Sequence, residues 1–378
     1  MNNSKLDDLM DQAKLDLIVL ISAENIFYLT HSPTILRLKD FQQTRPNSSR
    51  LIFAIKEKNK TKPILIVPEF DYKINKKYSN NTKTLCYKQY FTNPIVFLSK
   101  ILKSMILEKK RIGIEFSSFP TNYYLLLKEI LPLYKFLDIH NLMEDVRSIK
   151  TVDEIKKIKK TVNLMDKAIF KSFSQTKVHD SEFKIHINII KNLYELGCFP
   201  DKSSKTHVGK IMKEVHKEPR TNKYINYGDL IRTDFSASFK GYVGNISRMA
   251  VVGKPTKIQV DTYNKLCFIH KKTIDFVKPG KKASEIWEYS HDIMKSEGVF
   301  HPIPKGTMIG HSIGLNVHEE PMILKNNLKI VKEKMVLVIE PVICNDFYQI
   351  QDHILVGKER SKKFSSKFNT NQLFVIYQ

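Results

Sequence analysis

Disulfide chemistry has little to work with in this 378-residue chain, because its four cysteines, Cys86, Cys198, Cys267 and Cys344, stand far apart. Their scatter excludes a disulfide framework and a zinc knuckle as the organising device. Long apolar runs are missing as well: no stretch approaches the roughly 18 uninterrupted apolar residues that a membrane-spanning helix needs. The opening segment MNNSKLDDLMDQAK carries acidic residues where a secretory signal would carry an apolar core. Tryptophan occurs once, and no basic block exceeds a few residues. The formal charge of +23 invites a phosphate-binding reading, but the lysines sit singly or in pairs all along the chain, so nucleic acid is not an expected partner. These absences point to a cytoplasmic globular protein, long enough for two domains that each bury a core.

What is present falls into two patterns. In residues 1–145, strand-like apolar runs (LDLIVLI from Leu15, LIFAI from Leu51, ILIVP from Ile64, RIGIEF from Arg111) alternate with helical spacing in PIVFLSKILKSMI and YYLLLKEIL. Such alternation predicts a small α/β domain with a mainly buried sheet. In residues 150–378, Thr151 and Glu154 form a capping box ahead of Ile155, Ile158, Val162, Met165 and Ile169, which predicts a long amphipathic helix. Further helices are expected over residues 180–197, 260–276 and 284–297. Between and after them lie LIRTDFSASF, a tight turn at Lys240 and Gly241, YVGNISRMAVVG, MVLVIEPVI and YQIQDHILVG, a largely antiparallel α+β pattern.

Asp234, Asn245, His311, Glu340 and Gln351 are polar residues on strands, or at strand ends, in apolar surroundings. Buried polar groups are costly unless paired, so their recurrence at core-like positions suggests that they converge. His311, between Gly310 and Ser312, and His318, before Glu319, Glu320 and Pro321, mark the stretch around which the rest is organised.

These segments resemble the creatinase, aminopeptidase P and prolidase family, across nearly the whole chain. The resemblance implies a creatinase-type N-terminal α/β domain and a pita-bread catalytic domain. It implies that Asp234 matches the first metal-binding aspartate, His311 the metal-binding histidine, His318 the substrate-facing histidine and Glu340 the next ligand. The second aspartate is matched by Asn245 and the last glutamate by Gln351. In HKEPRTN, His216 matches an active-site histidine, and Pro219, Thr221 and Asn222 look most like the creatinase branch.

Two divalent ions need anionic oxygens, and here two of the four carboxylates are amides. Asp352 cannot simply stand in for Gln351, because adjacent side chains on a strand face opposite ways. The expectation is therefore no cofactor, or one weakly held divalent ion on Asp234, His311 and Glu340. The resemblance then implies a metal-independent C–N bond hydrolase of a small cationic or zwitterionic compound. His216 would relay the proton, Asp234, His311 and Glu340 would hold the substrate, and His318 would orient it. Met322 stands where creatinases carry a carboxylate-binding arginine, and a second arginine would come from near Arg45 or Arg50. An Xaa-Pro peptidase with a reduced metal site and a non-catalytic binding protein are the alternatives. The family's build implies a homodimer.

Overall fold

The structure is a computed structural model of the chain and describes residues 3–32, 35–36, 50–79, 81–105, 111–209, 217–303, 307–344, 346–364 and 368–377. The chain divides into two compact units, Met1–Val146 and Arg147–Gln378. His216, Arg37 and Arg45 lie outside the described residues.

In the first unit, strands β1 (Leu17–Leu20), β2 (Phe53–Glu57), β3 (Ile64–Pro68), β4 (Lys83–Tyr87), β5 (Arg111–Ile114) and β6 (Lys135–Asp138) form one mixed sheet in the order β4-β3-β2-β1-β5-β6. The LIVL run of β1 is buried at every position, as a central strand covered on both faces must be. Leu17, Val19, Phe53, Ile55 and Ile66 pack with Leu98, Leu102 and Leu127 of the helices Pro94–Met105 and Thr121–Ile130. Arg50, one of the two alternatives for the arginine expected from this domain, pairs inside its own unit, its Nη2 2.6 Å from Asp71 Oδ2.

The second unit opens on the helix Val152–Gln175, capped as its sequence predicts: Thr151 accepts from the Glu154 backbone while the Glu154 side chain accepts from Thr151. Its buried face, with Ile158, Val162, Met165 and Ile169, packs on the sheet. Gly244 permits that approach, since a Cβ there would come within 2.7 Å of Met165 Sδ. The helix expected over 180–197 spans Glu182–Glu195, and the next two span Lys257–Phe276 and Ala283–Ser296.

The unit's strands are β7 (Phe199–Pro200), β8 (Lys205–Val208), β9 (Leu230–Phe239), β10 (Tyr242–Val252), β11 (Gly310–Ser312), β12 (Glu319–Met322), β13 (Val336–Ile339), β14 (Val342–Ile343), β15 (Tyr348–Gln349), β16 (Asp352–Val356), β17 (Ser361–Lys363) and β18 (Phe374–Ile376). One sheet runs β18-β10-β9-β7, with β8 also paired to β9; a second runs β12-β11-β13-β16-β17, and β14 pairs β15. The axis of the first is the β9–β10 hairpin, in register from Phe239↔Tyr242 to Leu230↔Val251. Its two-residue turn places Lys240 at φ 51° and Gly241 at φ 84°, the left-handed pair that matches the twist of the flanking strands. β18 joins β10 in parallel, the exception among the described strands of the unit, which otherwise pair antiparallel.

Candidate functional site

The hairpin register places Asp234 opposite Ser247 and Ser236 opposite Asn245, so Asp234 and Asn245 point to the same face. The Asn245 amide nitrogen donates to Asp234 Oδ1 (3.2 Å), to Ser236 Oγ (3.1 Å) and to the Phe235 carbonyl (3.3 Å). Its backbone N–H donates to His353 Nε2 (3.3 Å). On the other side of β9, β8 sets Lys205 opposite Asp234, with Nζ 4.0 Å from Asp234 Oδ2.

The second sheet supplies the remaining groups. His311 lies on β11 between β12 and β13, with Met322 as its cross-strand neighbour. Gly310 allows that packing, since a Cβ there would sit 2.3 Å from the Val338 carbonyl oxygen. His311 Nδ1–H donates to the Ser312 carbonyl (2.9 Å), which leaves Nε2 with its lone pair. That atom is buried, has no hydrogen-bond partner among the described residues, and lies 3.7 Å from Glu340 Oε1. Glu340 follows the end of β13, and Gln351 precedes β16 and bridges to Ser247 of the hairpin. The Gln351 amide nitrogen donates to Glu340 Oε2, while its own Oε1 is buried without a partner among the described residues. The His318 ring meets His311 edge-on, 4.5 Å between centroids. Buried Glu319 holds that turn in shape: it accepts from the Leu315 and Asn316 N–H groups (2.9 and 3.2 Å) and pairs with Arg147 (2.9 Å) and Lys150 (3.2 Å).

Burial dominates the electrostatics. It lowers His311 and His353 to about 3 each, so both rings are neutral at physiological pH. Burial, with the negative charge of Asp234, raises Glu340 to about 8; the Gln351 hydrogen bond and the Lys205 charge oppose that rise. Burial also lowers His318, against the pull of Asp234.

The five positions thus converge, but they do not fit a pair of divalent ions. Among the described residues no group of three or more histidine, cysteine, aspartate or glutamate side chains could hold a metal ion. Both amides present N–H groups, not oxygens, to the two remaining carboxylates. Asp352 does not substitute for Gln351. Its carboxylate faces away, 3.0 Å from Arg248 and 2.5 Å from Lys363, as strand alternation requires. His353 and Lys205, which sequence reasoning passed over, sit against Asn245 and Asp234 because of strand pairing between distant segments. No local pattern in KTHV or DHILV signals it.

Residues 156–358 match the family described as metallopeptidase family M24, and residues 3–149 match the creatinase/prolidase N-terminal domain. The chain belongs to family M24, a family of hydrolases, and has its two-domain architecture with a pita-bread catalytic domain. It is similar to the Xaa-Pro dipeptidase of Pyrococcus horikoshii, at 26% identity over 368 residues covering 96% of this chain and 95% of that protein. The Xaa-Pro dipeptidase of Pyrococcus furiosus is 25% identical over 373 residues, 96% of each chain. Among solved structures, the prolidase from Pyrococcus horikoshii superposes with a TM-score of 0.81 at 24% identity, covering 97% of this chain and 99% of that one. These relatives are dipeptidases and lend no support to the creatinase branch that the HKEPRTN segment suggested. No helix among the described residues is long and apolar enough to cross a membrane.

Proposed function

We propose that this chain hydrolyses a C–N bond in small peptide-like substrates of the Xaa-Pro dipeptide class, and that it does so without the family's pair of divalent ions. Family membership and the dipeptidase relatives support the substrate class. The observation that carries the metal-free part is the orientation of the two amides, whose N–H groups take up the lone pairs of Asp234 and Glu340 that a metal would need. Asp234 and Glu340 would receive the substrate's ammonium group, as would the unpartnered acceptors His311 Nε2 and Gln351 Oε1. His318 would orient the substrate, and His216 would move the proton as base and then acid. The protein would act in the cytoplasm as a homodimer.

The test is elemental analysis of the purified chain together with a screen of Xaa-Pro dipeptides, small amides and amidines, with and without added manganese. Turnover that resists chelator, on protein holding well under one ion per chain, is the expected result. Turnover that needs manganese would instead favour the reduced peptidase, with Asp234, His311 and Glu340 as its ligands. Turnover of creatine-like amidines but not of dipeptides would revive the creatinase reading. Binding without turnover would make this a non-catalytic member of the family.

A further inference from the structure

We propose that Lys205 is the built-in counter-cation of this centre, its ammonium standing beside Asp234 in place of the charge that a divalent ion would bring. The proposal rests on the metal-free reading above and adds to it a cause that lies outside the five ligand positions.

Lys205 reaches the centre by register, not by chance rotamer: β8 pairs with β9 so that Lys205 lies directly opposite Asp234. Its Nζ is 4.0 Å from Asp234 Oδ2, and its side chain is only 16% exposed. It is therefore not a solvated surface lysine.

A second cation lies on the same sheet face. Arg232, two positions before Asp234 on β9, is 1% exposed and donates to Gln349 Oε1 (2.6 Å), with Nη2 2.9 Å from His207 Nδ1. Lys205 and Arg232 together bring two positive charges to this sheet face without any bound ion. A divalent ion would add its charge to theirs in a buried setting, where charges interact far more strongly than in water. Arg232 is locked in its hydrogen bonds. Lys205 is the cation that faces the site, and an ammonium carries three donors, so the ligand it takes is a carbonyl or carboxylate oxygen of the substrate.

The experiment is calorimetric titration of manganese chloride into full-length variants. Restoring carboxylates with Asn245→Asp and Gln351→Glu should give weak manganese binding. Adding Lys205→Met to that pair should tighten it by at least about tenfold, the least that removing a like charge at this separation should yield. Adding Lys205→Arg instead should leave the affinity of the pair unchanged, since the charge remains. Thermal melting checks that each variant folds, and Lys205→Gln removes the same charge if the methionine variant does not. Equal affinity with and without the Lys205 charge, equal tightening by methionine and arginine, or no manganese binding by any variant would overturn the role of Lys205. Two manganese ions bound by the unsubstituted chain would overturn the metal-free reading itself, a separate outcome.

Discussion

Two polar clusters of the catalytic unit meet at one peptide bond, between Gln351 and Asp352, and they are built on opposite terms. On the Asp352 side, Arg248 is completely buried and spans Asp166 (2.8 Å), Asp352 (3.0 Å) and the Gln351 carbonyl (2.7 Å), while Lys363 and Thr370 complete the carboxylate. Burial works against that carboxylate, but Arg248 and Lys363 outweigh it and hold Asp352 at about 2. On the Gln351 side, amides bond to carboxylates, and among the described residues the acceptors His311 Nε2 and Gln351 Oε1 and the donor His353 Nδ1–H are left buried without partners. The first cluster sets each charge against an opposite one and leaves one carboxylate oxygen, Asp166 Oδ2, without a hydrogen bond among the described residues; the second leaves a histidine nitrogen and an amide oxygen as bare acceptors that a ligand would fill.

The contrast can be broken most severely at Arg248. Arg248→Met strands the buried Asp166 carboxylate and leaves Asp352 to Lys363 alone, which costs about 3–5 kcal/mol, so the chain should melt far below the unsubstituted protein in a circular-dichroism scan. A melt within a degree or two of it would show that the cluster is not structural. On the other side, His216→Ala should leave the melt intact and reduce turnover of a substrate found by the screen by about 10²–10⁴-fold. Unchanged turnover would remove His216 from the proton relay.

A smaller effect is expected from the pair Asn245→Asp and Gln351→Glu. Without metal, crowding four carboxylates should lower stability by about 1–3 kcal/mol, and manganese should return the melt towards that of the unsubstituted chain. Indifference of that variant to manganese would mean that the five positions are too misaligned to ligate.

The smallest effect is a pH slope. Burial lowers His186 to about 4, against the charge of Glu182, and its ring packs on Phe235. A histidine depressed in this way binds its proton more readily when unfolded. Its contribution is therefore fully present above pH about 6.5 and is lost as the pH falls through 4. His270, His311 and His353 add to the same window. Melting temperature should fall on acidification from pH about 6.5, and His186→Gln should flatten that fall slightly; a steeper fall in the variant would reverse the sign assigned to His186.

Much of this was legible from local pattern. The capping box of Thr151 and Glu154, the hairpin turn at Lys240 and Gly241, and the opposite facing of Gln351 and Asp352 all depend on neighbours in sequence. The convergence of Asp234, Asn245, His311, Glu340 and Gln351 could be inferred because buried polar groups must find partners. What escaped depends on contacts between distant segments. Lys205 meets Asp234 only through the pairing of β8 with β9, and His353 meets Asn245 across 108 positions. Arg50, left beside Arg45 as a candidate for substrate, pairs with Asp71, twenty-one positions away, which no local pattern signals. The creatinase leaning came from a short segment, and the family relatives point elsewhere.

The β9–β10 hairpin is held together independently of its polar side chains. Its pairing is carried by backbone groups over ten residues on one strand and eleven on the other, and none of that ladder depends on which atom ends the side chain at position 245. Exchanging an oxygen for an NH₂ there, and another at position 351, alters the chemistry while the scaffold stays as it was. The site is a socket whose wiring can be rewritten two atoms at a time.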